Sequence, residues 1–162
     1  MMRVGVFSDS HGDSQALDEL LEKMGHVDAV CFLGDVARDA EHLKGRLSAM
    51  PHQPMLYAVR GNNDYYSTCM LPWDMLIELD GARIYMTHGH RMVSEMSLVY
   101  KAMEHGAGVA MFGHTHVPYC AVEQGVLLLN PGSAGNYCRG GRARASVLEI
   151  RKGQCRVLNV TL

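Results

Sequence analysis

Before Arg60 the chain alternates three short apolar runs with two helix-patterned segments, and few folds accept that order. RVGVFSDSHG (Arg3–Gly12) reads as a buried strand ending in a polar turn. Leu17, Leu20, Leu21 and Met24 then repeat at helical spacing behind a cap at Asp13 or Ser14, and Gly25 is placed to stop that helix. AVCFLGD (Ala29–Asp35) is a second apolar strand. A helix over about Ala40–Met50 follows, with Leu43 and Leu47 on one face and Pro51 at its end. MLYAV (Met55–Val59) is a third strand. The order β-α-β-α-β implies parallel strands with crossover helices.

After that the pattern changes. Met75–Gly89 reads as a hairpin turning at Asp80-Gly81. Ser94–His105 reads as a helix with Met96, Leu98 and Met103 as its apolar positions. VAMFGHTH, VPYCAVEQG, VLLLNPGS, ASVLEI and CRVLNVTL are short strands, the last two flanking a turn at Lys152-Gly153. The length of 162 residues favours one core, so residues 1–162 are expected to form a single α/β domain with two packed, mixed sheets.

Each of five strands delivers Asp, His or Asn just past its last apolar residue. The sets are Asp9-Ser10-His11, Gly34-Asp35, Gly61-Asn62, His88-Gly89-His90 and Gly113-His114-Thr115-His116. Taken singly, each is an ordinary turn, since Asp and Asn favour turns and asparagine tolerates left-handed backbone. Together they converge on the crevice beyond the carboxyl ends of strands, where open α/β sheets bind ligands. Mixed carboxylate and imidazole donors suit manganese, iron or zinc, whereas cysteine sites favour zinc and all-oxygen sites favour magnesium or calcium. Asp9, His11, Asp35, Asn62, His88, His114 and His116 are too many for one ion with room for substrate. They suit two ions sharing one carboxylate. Two ions about 3.5–4 Å apart clamp an in-line displacement at phosphorus, acidify a bound water and stabilise phosphoryl charge.

These blocks, "SDSHG", "LGD", "RGNND", "THGH", "FGHTH" and "NPGS", resemble the calcineurin-like metallophosphoesterases, and within them the small YfcE-like phosphodiesterases. The resemblance runs from Arg3 to about Ser133. It implies a four-layer α/β/β/α sandwich, the metallo-dependent phosphatase fold, and hydrolysis of small phosphate-ester substrates. It implies that Asp9, His11 and His116 hold one ion, that Asn62, His88 and His114 hold the other, and that Asp35 bridges both. Manganese is the first expectation for the ions, with nickel, cobalt, zinc or iron as alternatives. Many relatives carry histidine at the position of Asn63, where it serves as a general acid. Asn63 cannot donate a proton that way, so esters with good leaving groups, such as aryl phosphates, are the expected substrates. His90 is the candidate substitute acid, against a reading as an outer or surface histidine. Asp64 is a candidate catalytic residue, against readings as a loop-positioning or plain turn residue. The NPGS loop (Asn130–Ser133) is read as a turn near the rim.

Composition bounds the rivals. A net charge of -2 without a Lys/Arg block argues against a nucleic-acid duplex or an anionic membrane surface, and RGGRAR (Arg139–Arg144) reads as a turn before a strand. No apolar run reaches a membrane-spanning length, and the N-terminus has no signal-peptide pattern. The five cysteines are scattered and odd in number, which suits a reducing cytoplasm, and the methionines read as core fillers. Homo-oligomers are common among small enzymes. The main rival to an enzyme is a protein-binding scaffold; the retromer subunit has this fold with its metal positions degraded. Another is a narrow cyclic-nucleotide phosphodiesterase, in which Tyr65, Tyr66 or Trp73 stacks a base rather than packing a core.

Overall fold

Strand β1 (Met2–Phe7) lies at the middle of one sheet because both of its faces are apolar. Val4 and Val6 point to one side, while Phe7 and the bare backbone of Gly5 face the helices on the other. The computed structural model describes residues 1–64, 70–136 and 141–162. Along it run α1 (Ser14–Met24), β2 (Ala29–Phe32), α2 (Ala37–Ser48), β3 (Met55–Ala58) and a 3-10 turn (Asn62–Asp64). There follow β4 (Asp74–Leu79), β5 (Ala82–Thr87), α3 (Glu95–Glu104), β6 (Val109–Met111), β7 (Tyr119–Glu123) and β8 (Val126–Asn130). β9 (Arg144–Arg151) and β10 (Gln154–Thr161) complete the order.

The strands form two five-stranded sheets, β10-β9-β1-β2-β3 and β4-β5-β6-β8-β7. β1, β2 and β3 pair in parallel, as do β5, β6 and β8, while β9, β10, β4 and β7 are antiparallel to their neighbours. Strand alternation sorts side chains into three buried clusters. Val6, Cys31, Ile84, Met86, Met111 and Leu148 fill the space between the sheets. Leu17, Leu20, Leu21, Leu43 and Leu47 press α1 and α2 onto Val30 and Phe32. Leu98, Val99 and Ala102 press α3 onto Tyr85, Ala110 and Phe112. The result is the expected α/β/β/α layering with two mixed sheets.

Three expectations need correction. α2 begins at Ala37 rather than Ala40. Its cap position is Val36, whose side chain caps nothing; Asp64 Oδ1, from a distant segment, accepts from Ala37 N at 2.7 Å instead. A cap lent across the fold leaves no trace in local sequence. On α3, Met96 and Met103 are not core positions: they are 38% and 50% exposed, and Val99 and Ala102 are buried in their place. Small and β-branched side chains let the helix sit close to its sheet. More broadly, Met86 and Met111 are buried, but Met55 and Met70 are 59% and 96% exposed, so methionine is not uniformly core here. Cys31, Cys120 and Cys155 are free thiols, and burial pushes that of Cys31 upward. Cys69, Cys138, Tyr65, Tyr66 and Arg139 lie outside the described residues. No helix among the described residues is long and apolar enough to cross a membrane.

Candidate metal centre

Parallel pairing brings the carboxyl ends of β1, β2 and β3 to one edge of their sheet and those of β5 and β6 to one edge of the other. The two edges meet. Asp9, just past β1, accepts from His114 N at 2.9 Å through Oδ2, and His88 Nδ1 lies 2.7 Å from Leu33 O.

All of the strand-end donors are drawn into this seam. His11 Nε2 and His116 Nε2 are 3.1 Å apart, and His116 Nε2 is 3.3 Å from Asp9 Oδ1. His88 Nε2 is 3.7 Å from Asp9 Oδ1 and 3.9 Å from Asp35 Oδ1, and His11 Nε2 is 3.7 Å from Asp35 Oδ2. Asn62 Oδ1 lies 3.0 Å from His88 Nε2 and 3.2 Å from His114 Nδ1. Two groups bring their ligand atoms within 4.8 Å of one another: Asp9, His11 and His116, and Asp9, Asp35 and His88.

The backbone is bent to make this possible. Asp9, His11, Asp35, His114 and His116 all have left-handed φ, between 48° and 67°. Asp and His tolerate that region better than most residues, but each instance still costs on the order of 1 kcal/mol. Val36, at φ 74°, is a stronger outlier because it is β-branched. Glycines admit the close approaches. A Cβ on Gly61 would sit 2.5 Å from Asp35 N, and one on Gly113 would sit 1.9 Å from Ser8 Oγ.

Around the donors is a layer of anchors, of which sequence reading named only Asp64 as a loop-positioning candidate. Ser8 Oγ donates to Asp9 Oδ2 at 2.6 Å, and Ser133 Oγ donates to Asp9 O at 2.6 Å. Asn130 Nδ2 donates to Gly113 O at 3.1 Å and to Thr115 Oγ1 at 3.0 Å, holding the His114–His116 turn. The NPGS turn therefore touches both sheets' ligand loops. Asp39 Oδ2 accepts from Ser10 Oγ and from Gly12 N. Asp64 is 2% exposed and accepts from Ala37 N and Gly61 N at 2.7 and 2.8 Å. Spacing rules do not mark most of these contacts, because Ser133, Asn130, Asp39 and Asp64 each reach a loop distant in sequence.

Asn63 turns inward. Its Nδ2 donates to Asp35 Oδ2 at 2.6 Å and its backbone N to Asp35 Oδ1 at 2.9 Å. His90 stands at the rim, its ring centroid 5.5 Å from that of His88 and 6.2 Å from that of His114. Burial holds the His90 imidazole below its ordinary value, and interactions with His88, Arg91 and His114 push the same way, against Asp35. Its Nδ1 is buried and meets no hydrogen-bond partner among the described residues. Trp73 packs beside His90 at 5.4 Å, with the guanidinium carbons of Arg60 and Arg91 4.8 and 5.0 Å from its ring.

Whether this donor set fits cations can be judged from Asp9. The residue is fully buried, yet Oδ1 accepts no hydrogen bond from any described residue, and it faces His88 and His116 Nε2. A buried, unpartnered carboxylate oxygen is costly, and a divalent ion removes that cost. With His88 Nδ1–H donating to Leu33 O, the Nε2 lone pair is directed into the seam, an arrangement typical of metal-binding histidines. The residues fit a divalent cation site.

Known proteins are similar to this chain. A sequence profile described as the calcineurin-like phosphoesterase superfamily domain matches residues 2–153. The probable metallophosphoesterase YsnB of Bacillus subtilis is 31% identical over 136 residues, 82% of this chain and 75% of its own length. The phosphodiesterase YfcE of Escherichia coli K12 is 28% identical over 169 residues, 92% of this chain and 88% of its own. A crystal structure from Streptococcus pneumoniae TIGR4, described as a predicted phosphoesterase, superposes with a TM-score of 0.77 at 31% identity, over 99% of this chain and 89% of its own.

Proposed function

The chain belongs to the calcineurin-like phosphoesterase superfamily, and from that premise we propose that it is a metal-dependent phosphodiesterase with a dinuclear centre. The observation that carries this reading is the buried Asp9 Oδ1, without a hydrogen bond from any described residue and aimed at imidazole nitrogens. Asp9, His11 and His116 hold one ion. Asn62, through its side-chain oxygen, His88 and His114 hold the second, and Asp35 is shared. Manganese is the first candidate for the ions, with nickel, cobalt, zinc or iron as alternatives that mixed oxygen and nitrogen donors also admit. Divalent ions there acidify water and stabilise charge on a phosphoryl group.

The protein's own residues arrange the rest. Ser8 and His114 N orient Asp9 by occupying Oδ2, which leaves Oδ1 for the seam. Asn63 orients Asp35 through two hydrogen bonds and carries no transferable proton. His90, whose imidazole burial and its neighbours hold below the ordinary value, lines the approach beside His88 and His114. Asp64, with both oxygens on backbone amides, positions loops and does not reach substrate. A site without a strong acid favours leaving groups that depart unprotonated, so aryl esters are the preferred small-molecule substrates. The reading takes residues 1–162 as one such domain, in a reducing cytoplasm consistent with free thiols.

Hydrolysis of bis-p-nitrophenyl phosphate by chelator-stripped protein tests this. Activity is expected to appear on addition of manganese, to vanish in Asp35→Asn, and to be greater for aryl than for alkyl leaving groups. Folded protein that stays inactive with manganese, nickel, cobalt and zinc would instead favour the protein-binding scaffold.

A further inference from the structure

Two buried carboxylates outside the proposed ligand set converge on the first turn of α2. Asp39 is 3% exposed and Asp64 is 2% exposed. Asp39 Oδ2 accepts from Ser10 Oγ and, at 2.8 Å, from Gly12 N, so it grips the residues on either side of His11. Its own backbone N donates to Val36 O at 2.9 Å, tying it to the residue after Asp35. Asp64 joins Gly61 N, just before Asn62, to Ala37 N, the first residue of α2. The gripped segments include strained backbone: His11 at φ 48°, Asp35 at 66° and Val36 at 74°. Conformations of this kind persist only where the surroundings over-determine them. Carboxylate acceptors are suited to that task, since charge-assisted hydrogen bonds are roughly twice as strong as neutral ones. The N-terminal turn of a helix also favours acidic groups.

We propose that the first turn of α2 is a positioning hub that sets the affinities of the two ions separately. Asp39 fixes His11, and so governs the ion assigned to Asp9, His11 and His116. Asp64 fixes Asn62, and so governs the ion assigned to Asn62, His88 and His114. The inference rests on the dinuclear reading above. Both carboxylates are positioning residues, acting through the loops they hold. Outer partners of metal ligands typically change affinity by about 10–100-fold when removed, and that is the expected size here.

The test is electron paramagnetic resonance of manganese(II) titrated into chelator-stripped full-length protein, which counts bound ions and reports whether they are coupled. The parent binds two equivalents with a coupled spectrum. In Asp39→Asn, and more mildly in Ser10→Ala, one equivalent weakens by about 10–100-fold while the other keeps its affinity, leaving an uncoupled spectrum at one equivalent. Asp39→Asn adds little to His11→Ala but its full effect to His114→Ala, a non-additivity that general destabilisation would not produce. Asp64→Asn, in turn, adds little to Asn62→Ala but its full effect to His11→Ala. Should Asp39→Asn fail to fold, Ser10→Ala carries the same test. Two equivalents at parental affinity in these folded variants, or equal weakening of both, would overturn the hub. A parent that binds no manganese would overturn the dinuclear reading itself, and the hub with it.

Discussion

In chelator, Asp9→Asn melts above the parent protein, and with manganese it hydrolyses phosphate esters at least about 10²–10³-fold more slowly, the usual cost of deleting one electrostatic contact to the reacting group. Both effects come from the same atom. In the parent, Asp9 Oδ1 is buried without a hydrogen bond from any described residue and faces His88 and His116 Nε2 at 3.7 and 3.3 Å. An amide nitrogen in its place can donate to either imidazole, while the remaining oxygen still accepts from Ser8 Oγ and His114 N. Relief of one unsatisfied buried group is worth about 1–3 kcal/mol. The order reverses when manganese is added, because an ion that binds only the native parent stabilises it by roughly 2.7 kcal/mol at a hundred times its dissociation constant. Melting curves with chelator and with manganese check this. A variant that is less stable than the parent in chelator would mean that Asp9 is already satisfied without an ion.

Gly113→Ala is expected to lose about 3 kcal/mol of stability, the upper part of the range for overpacked sites, together with metal binding. The added Cβ would lie 1.9 Å from Ser8 Oγ, 2.8 Å from Ser8 Cβ and 2.7 Å from Asp9 Oδ2. Ser8 is fully buried and cannot swing away, so Asp9 must move with it. Gly125→Ala is the informative comparison. Gly125 has φ +79° with nothing within 4 Å of its Cβ position, so only backbone strain of about 1–2 kcal/mol applies. Denaturant melts of both variants check the pair. Equal losses would place the cost in backbone freedom rather than in the crossing of the two sheets.

The central strands were legible because apolar alternation and length identify them, and Gly25 and the Asp80-Gly81 turn punctuate them clearly. The donor residues were legible for a different reason: each follows a strand directly, and parallel pairing then carries all of them to one seam. What sequence did not reveal was held by long-range contacts. The start of α2 depends on Asp64, a residue beyond β3, and the grip on His11 depends on Asp39, in the next helix. Met96 and Met103 fit a helical apolar pattern, yet Val99 and Ala102 join Leu98 on the face buried against Tyr85, Ala110 and Phe112. Trp73 illustrates the same limit. Its sequence neighbourhood allowed stacking on a base, whereas its partners here are His90, Arg60 and Arg91.

The most direct measurement is the rate of bis-p-nitrophenyl phosphate hydrolysis against manganese bound per chain, with free metal removed at each point. The dinuclear account requires little activity up to one equivalent, a rise as the second binds, and a plateau at two. Full activity at a single equivalent, or none with two bound, would contradict it.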